Sequence, residues 1–134
     1  MATEVLMETQ VISPDATGLD RRVLNNALLF GLCSRFGGYN LTALTATIEP
    51  SLLRLSGELD FSGLSKLSPL QAMVYRAITA PENYSRTERR IAWELGLRDA
   101  NFSRLSRRVY DHLGVRGRGQ AVVYRLAGEA GKQN

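Results

Sequence analysis

The sequence predicts an all-α protein, a four-helix C-terminal domain preceded by a small helical N-terminal module. Three observations carry this. Apolar residues recur at helical intervals, most cleanly at Phe102, Leu105, Val109 and Leu113. Helix starts and stops are marked, by Ser68-Pro69 at one start and by Gly37-Gly38, Gly96 and Gly114 at three ends. The charge is also split: residues 1–64 hold four Arg against seven acids, a balance of −3, while residues 65–134 hold thirteen Lys and Arg against six acids, a balance of +7. A basic excess confined to one half suits a polyanionic partner for that half.

Taken in order, residues 1–17 show no sustained period and contain Pro14 and Asp15, which predicts a disordered tail without chemistry. A helix follows from Leu19, with Val23, Ala27, Leu28, Leu29, Leu32 and Phe36 at helical spacing and Gly37-Gly38 as its stop. It is apolar around much of its circumference, so it packs either against the core and a second subunit or partner, or wholly within a small domain. Asn40 is placed to cap a helix through Leu41, Leu44 and Ile48; Pro50 interrupts the path, and Ser51–Leu55 reads as a short helix ended by Gly57. Residues 58–66 are turn-like, and the boundary between the module of residues 18–64 and the domain of residues 65–128 falls there.

The second half starts with Ser68 as N-cap and Pro69 in the first helical position, followed by an apolar stripe of Leu70, Met73, Val74, Ala77 and Ile78 with Gln71 and Arg76 outward. Ala80–Asn83 ends that helix. Ser85 or Thr87 caps the next, whose Ile91, Ala92 and Leu95 face inward before Gly96 closes it in a left-handed conformation. Asp99 is then read as the cap of a longer helix. On a wheel of 100° per residue, Phe102, Leu105, Val109 and Leu113 form its core stripe, and Arg104, Arg107 and Arg108 cluster on the opposite face, flanked by Asn101 and Ser103. Short helix, glycine turn and basic helix are the layout of a helix-turn-helix, and forked guanidinium groups match phosphates and guanine edges. Gly114–Gly119 makes a basic turn without the order of a nucleotide-binding loop, so no cofactor is expected. Gln120–Ala127 reads as a last short helix, and residues 129–134 as a frayed tail.

Other classes find little support. The single His112 has no nameable partner and reads as a solvated side chain, and no paired carboxylates or nucleophile motif stand out, so an enzyme is not expected. Cys33 is the only cysteine and reads as a buried small hydrophobe in a reducing compartment. No run approaches 18 apolar residues, and Glu4 and Glu8 stand where a signal peptide wants positive charge; a cytoplasmic protein without membrane contact is the expectation.

The residues from 67 onward resemble the LuxR/GerE-type helix-turn-helix, also the output domain of NarL/FixJ response regulators. The resemblance rests on Leu67-Ser68-Pro69, on Ile91-Ala92 with Leu95-Gly96-Leu97, and on Arg108-Val109-Tyr110 with Leu113-Gly114-Val115-Arg116 and Arg118. It implies a bacterial transcription regulator with the helix at 99–113 in the major groove. Asn101 and Arg104 would face base edges, Arg107 and Arg108 would be shared between base and phosphate, Arg98 and Ser103 would lie near DNA, and Arg116 and Arg118 would lie at the backbone. It also implies a homodimer through the last helix, with Val123, Tyr124 and Leu126 as contacts. The chain departs from the family at Asn101-Phe102, in a longer connection around Ala80–Thr87, and at Trp93. Trp93 points away from Ile91 and Leu95, and is either exposed to a partner or folded over the N-terminal module. The first 64 residues are too short for a receiver or an autoinducer pocket, so protein contact or dimerisation is expected of them. The alternative function is an anti-activator or co-regulator that holds another transcription factor or RNA polymerase through a degenerate helix-turn-helix.

Overall fold

A computed structural model describes residues 18–33 and 40–132, with side chains from Val23 to Phe30 and from residue 40 onward. The predicted tail 1–17, the glycine stop at 37–38, the side chains of Leu32, Phe36 and Cys33, and residues 133–134 lie outside that description. The described residues are all helical, without a strand. In order they form α1 (Gly18–Cys33), α2 (Leu41–Ile48), α3 (Leu52–Glu58), α4 (Pro69–Thr79), α5 (Glu88–Glu94), α6 (Asp99–Leu113) and α7 (Arg118–Lys132), with 3-10 turns at Glu49–Ser51, Ser62–Lys66 and Pro81–Asn83. No helix among them is long and apolar enough to cross a membrane.

Local chemistry accounts for the helix starts. Asn40 Oδ1 accepts the Ala43 N–H at 2.9 Å and opens α2. Ser68 Oγ accepts the Gln71 N–H at 3.1 Å while Gln71 Oε1 accepts the Ser68 N–H at 3.0 Å, a reciprocal capping box with Pro69 in the first turn. Gln71, read from sequence as simply outward, therefore has a structural task. Leu70, assigned to the apolar stripe, is 44% exposed; Val74 and Ile78 are buried and Met73 and Ala77 half-buried.

Two hydrophobic clusters organise the chain. Val74, Ile78, Ile91, Ala92 and Phe102 form the smaller one and tie α4, α5 and α6 together. The larger gathers Leu29 of α1, Leu44 of α2, Leu55 of α3, Val109 and Leu113 of α6, and the run Ala121–Tyr124 of α7. Residues on both sides of the boundary expected near 64 thus share one core. The physical centre of that core is α7, which packs against α1, α2, α3 and α4.

Helix α7 is also longer than its sequence indicates. It runs to Lys132 through Gly128 and Gly131, where a frayed end was expected. A Cβ on Gly128 would stand 3.3 Å from the Phe61 ring, and one on Gly131 would stand 3.0 Å from Ser56 Cβ. The glycines let α7 lie close on α3 and the segment after it, and tertiary burial outweighs their helix cost of about 1 kcal/mol each.

Helix α1 is held by a polar clamp. Asn25 is buried; its Nδ2 donates to the carbonyls of Leu113 at 2.7 Å and Asp60 at 2.9 Å, and its Oδ1 accepts the Asp60 N–H at 2.8 Å. Leu29 is buried one turn further on, whereas Val23, Leu24 and Phe30 are exposed, so only one side of α1 meets the core. The 3-10 turn Ser62–Lys66 is pressed against the end of α6, and a methyl group on Gly63 would run into the carbonyl oxygen of His112. Gly63→Ala is expected to cost about 2–3 kcal/mol through overpacking, to be read as a lower urea midpoint with an unchanged slope.

Candidate nucleic-acid interface

Thr87 Oγ1 accepts the Arg90 N–H at 3.1 Å and starts α5, resolving the choice between Ser85 and Thr87. The helix ends in a Schellman turn: the Leu97 N–H donates to the Ala92 carbonyl at 2.9 Å and the Gly96 N–H to the Trp93 carbonyl at 3.0 Å. Gly96 has φ +77°, a left-handed conformation that costs about 1–2 kcal/mol for a residue with a Cβ. This turn aims α6 away from α5, while Ile91, Ala92 and Phe102 lock the two helices together.

The N-cap of α6 is Arg98, in extended conformation and without a side-chain cap bond, not Asp99 as expected. Asp99 sits in the first turn, near the positive end of the helix dipole, and its Oδ2 accepts from Arg89 Nε at 3.2 Å. The helix wheel holds: Phe102, Val109 and Leu113 are buried, Leu105 is half-buried, and Asn101, Ser103, Arg104, Arg107 and Arg108 are exposed. Arg104 Nη2 donates to Asn101 Oδ1 at 3.2 Å, linking the two residues expected at base edges. Among the described residues no carboxylate oxygen lies within 4 Å of the guanidinium of Arg98, Arg104, Arg107, Arg108 or Arg116. The face carries a row of cations with free donor capacity and one exposed acid among them, Asp111, which also lines the cleft beside Arg107.

Sequence reasoning missed Ser106 and Tyr110, which fall about 40° and 80° from Phe102 on the same wheel. Ser106 is buried and Tyr110 half-buried, and among the described residues neither Ser106 Oγ nor the Tyr110 hydroxyl has a hydrogen-bond partner. Burial, with Glu88 second, raises the Tyr110 pKa and keeps the phenol protonated. Both residues line a cleft of about 570 Å³ between α1 and α6, shared by Ser103, Arg107 and Arg116. The structure therefore brings these last three predicted DNA residues to one cleft, while Arg98 belongs to another, beside Trp93.

Arg118 is not where the resemblance put it. Its guanidinium donates to the carbonyls of Ile78 at 2.8 Å, Arg86 at 2.8 Å and Asn83 at 2.6 Å. It closes the long connection between α4 and α5 onto the start of α7, and burial lowers its pKa from the ordinary guanidinium value. Its donors are committed to protein carbonyls rather than to phosphate. Arg118→Ala should lower stability by about 2–4 kcal/mol, because three carbonyls lose a charged donor. In a DNA-binding titration the Arg118→Ala protein that remains folded is expected to match the wild type within about threefold, as loss of an exposed phosphate contact would not.

The expected dimer contacts also move inward. Val123 and Tyr124 have no exposed surface, and Leu126 is half-buried. The Tyr124 hydroxyl donates to the Asp60 carbonyl at 3.1 Å, and its ring packs on Phe61 with centroids 4.8 Å apart. Segments of the N-terminal half cover this helix, so Val123 and Tyr124 are core residues of the single chain. His112, expected to be solvated, is half-buried at the end of α6.

Trp93 is 73% exposed, so the reading in which it folds over the N-terminal module is overturned. The Arg90 guanidinium lies 5.9 Å from its ring centroid, and Arg89 joins them along one cleft. Both arginines precede Trp93 by one helical turn, and that spacing was the signal available in the sequence. Among the described residues no group of three His, Cys, Asp or Glu side chains is set to hold a metal ion. No family model, no curated protein and no solved structure matches this chain.

Proposed function

We propose that the protein is a bacterial transcription regulator that binds specific double-stranded DNA through a LuxR/GerE-type helix-turn-helix formed by α4, α5, α6 and α7, with α6 in the major groove. The observation that carries this reading is the row Arg104, Arg107 and Arg108 on the exposed face of a helix that follows a Schellman turn at Gly96. Asn101 and Arg104 read base edges; Arg107, with Arg116 and Ser103 beside it, serves base and phosphate together. In the resembling family the last helix joins two copies. Here that helix has its apolar side chains in the core, and a dimer of this chain has to use another surface.

Selection from random duplexes at physiological salt tests the proposal. The expected outcome is an enriched site, bound with an affinity that falls steeply with salt. With about four phosphates neutralised, log K against log salt should have a slope on the order of −4. Paired half-sites about one helical turn apart would report a dimer, and a single half-site a monomer. No enriched sequence together with a flat salt response would reject DNA binding.

A further inference from the structure

The cleft around Trp93 lies apart from the arginine row of α6 and has a different chemistry. It encloses about 600 Å³ between the start of α5, the Schellman turn and the start of α6. Trp93 and Leu97 supply apolar surface, while Arg89, Arg90 and Arg98 surround it against a single acid, Asp99. Arg98 has no carboxylate within 4 Å among the described residues, and the pair between Arg89 and Asp99 is solvent-exposed, its side chains 84% and 60% accessible. Such a pair exchanges partners at little cost. Arg90, anchored by Glu94 at 3.0 Å, holds its guanidinium 5.9 Å from the indole centroid, within cation–π range, and leaves the ring exposed.

We infer that this cleft is a docking site for an acidic peptide segment of another protein, one that inserts an apolar or aromatic side chain against Trp93 and Leu97 and sets carboxylates on Arg89 and Arg98. The charge balance of the cleft asks for an anionic partner, and the bare indole asks for an apolar one. An acidic segment with interspersed large side chains offers both within a few residues. Duplex DNA offers phosphates but no accessible base face for the ring, because stacking on an exposed aromatic needs an unpaired base. Trp and Arg are also the side chains from which interface hot spots are built. The inference is independent of the DNA reading, since peptide binding is measured without DNA.

Trp93 is the only tryptophan in the chain, so its emission reports on the cleft alone. The full-length protein is titrated with a fluorescein-free dodecapeptide of Asp and Glu carrying two Phe residues four positions apart, and with its Asn/Gln counterpart. A saturable blue shift is expected with the acidic peptide and not with the neutral one. In anisotropy with a labelled copy of the acidic peptide, Trp93→Ala should weaken binding about 30-fold. Arg98→Glu should weaken it about tenfold. Both variants are expected to keep the wild-type unfolding midpoint, because neither side chain contributes to either core cluster. Absence of a saturable shift, or an equal shift with the neutral peptide, would overturn the proposal. So would a shift produced by a mixed-sequence duplex but not by the acidic peptide, which would assign the cleft to nucleic acid.

Discussion

Replacing Arg104 and Arg107 together by Ala is expected to remove sequence-specific DNA binding while leaving the fold intact. Each forked contact to a base edge or phosphate is worth about 1–2 kcal/mol or more, so the pair should cost about 30- to 1,000-fold in affinity. The unfolding midpoint should stay within a degree or two, since both side chains are exposed and neither forms an ion pair with a described carboxylate. Arg104 and Arg107 should also separate. Arg104→Ala is expected to relax preference at one base position, because Arg104 is held by Asn101. Arg107→Ala is expected to weaken all sequences more evenly and to reduce the salt slope by about one. Gel-shift or anisotropy titrations on a selected duplex, beside a scrambled one, read both effects.

The second large effect belongs to the fold. Asn25→Leu keeps the branched heavy-atom shape, with somewhat greater bulk, but deletes three hydrogen bonds that join α1 to the Leu113 carbonyl and to both backbone groups of Asp60. The Asp60 carbonyl still receives the Tyr124 hydroxyl, but the Leu113 carbonyl loses its side-chain donor in a buried place. A loss of about 3–4 kcal/mol follows from stranding buried polar groups. For a chain of this size it corresponds to a fall in Tm on the order of 10–15 °C. Because Leu113 is the last residue of α6, the clamp also sets where the arginine-bearing helix ends relative to α1. An unchanged Tm would show that α1 is not fastened to the second half in this way.

Much of this arrangement was legible in the residues, and the divisions have physical causes. The wheel of α6 could be read because its amphipathicity is local: Phe102, Val109 and Leu113 needed only a helical period to be placed inside, and the arginines only the same period to be placed outside. The capping box at Ser68 and the left-handed turn at Gly96 are likewise local rules. What stayed hidden was long-range. Arg118 and Arg116 look alike in a basic turn, yet the first meets carbonyls 32 to 40 positions earlier and the second stays exposed. Tyr124 looked like an exposed dimer residue because its cover, α2, α3 and Phe61, comes from a half of the chain whose weak periodicity did not show where it would pack. Asn25 carried no signal at all, since a polar residue in an apolar helix is read as surface until its three partners are seen.

We propose the exposed face of α6 as the surface that meets DNA. Backbone amide shift mapping tests it most directly, with labelled full-length protein titrated with a selected duplex. Saturable perturbations should run from Asn101 to Arg108 and reappear at Gly114–Arg116, leaving the buried turns of α7 nearly unmoved. Perturbations centred on α1 or α2, or a titration in which the amides of α6 do not move while DNA is bound, would contradict it.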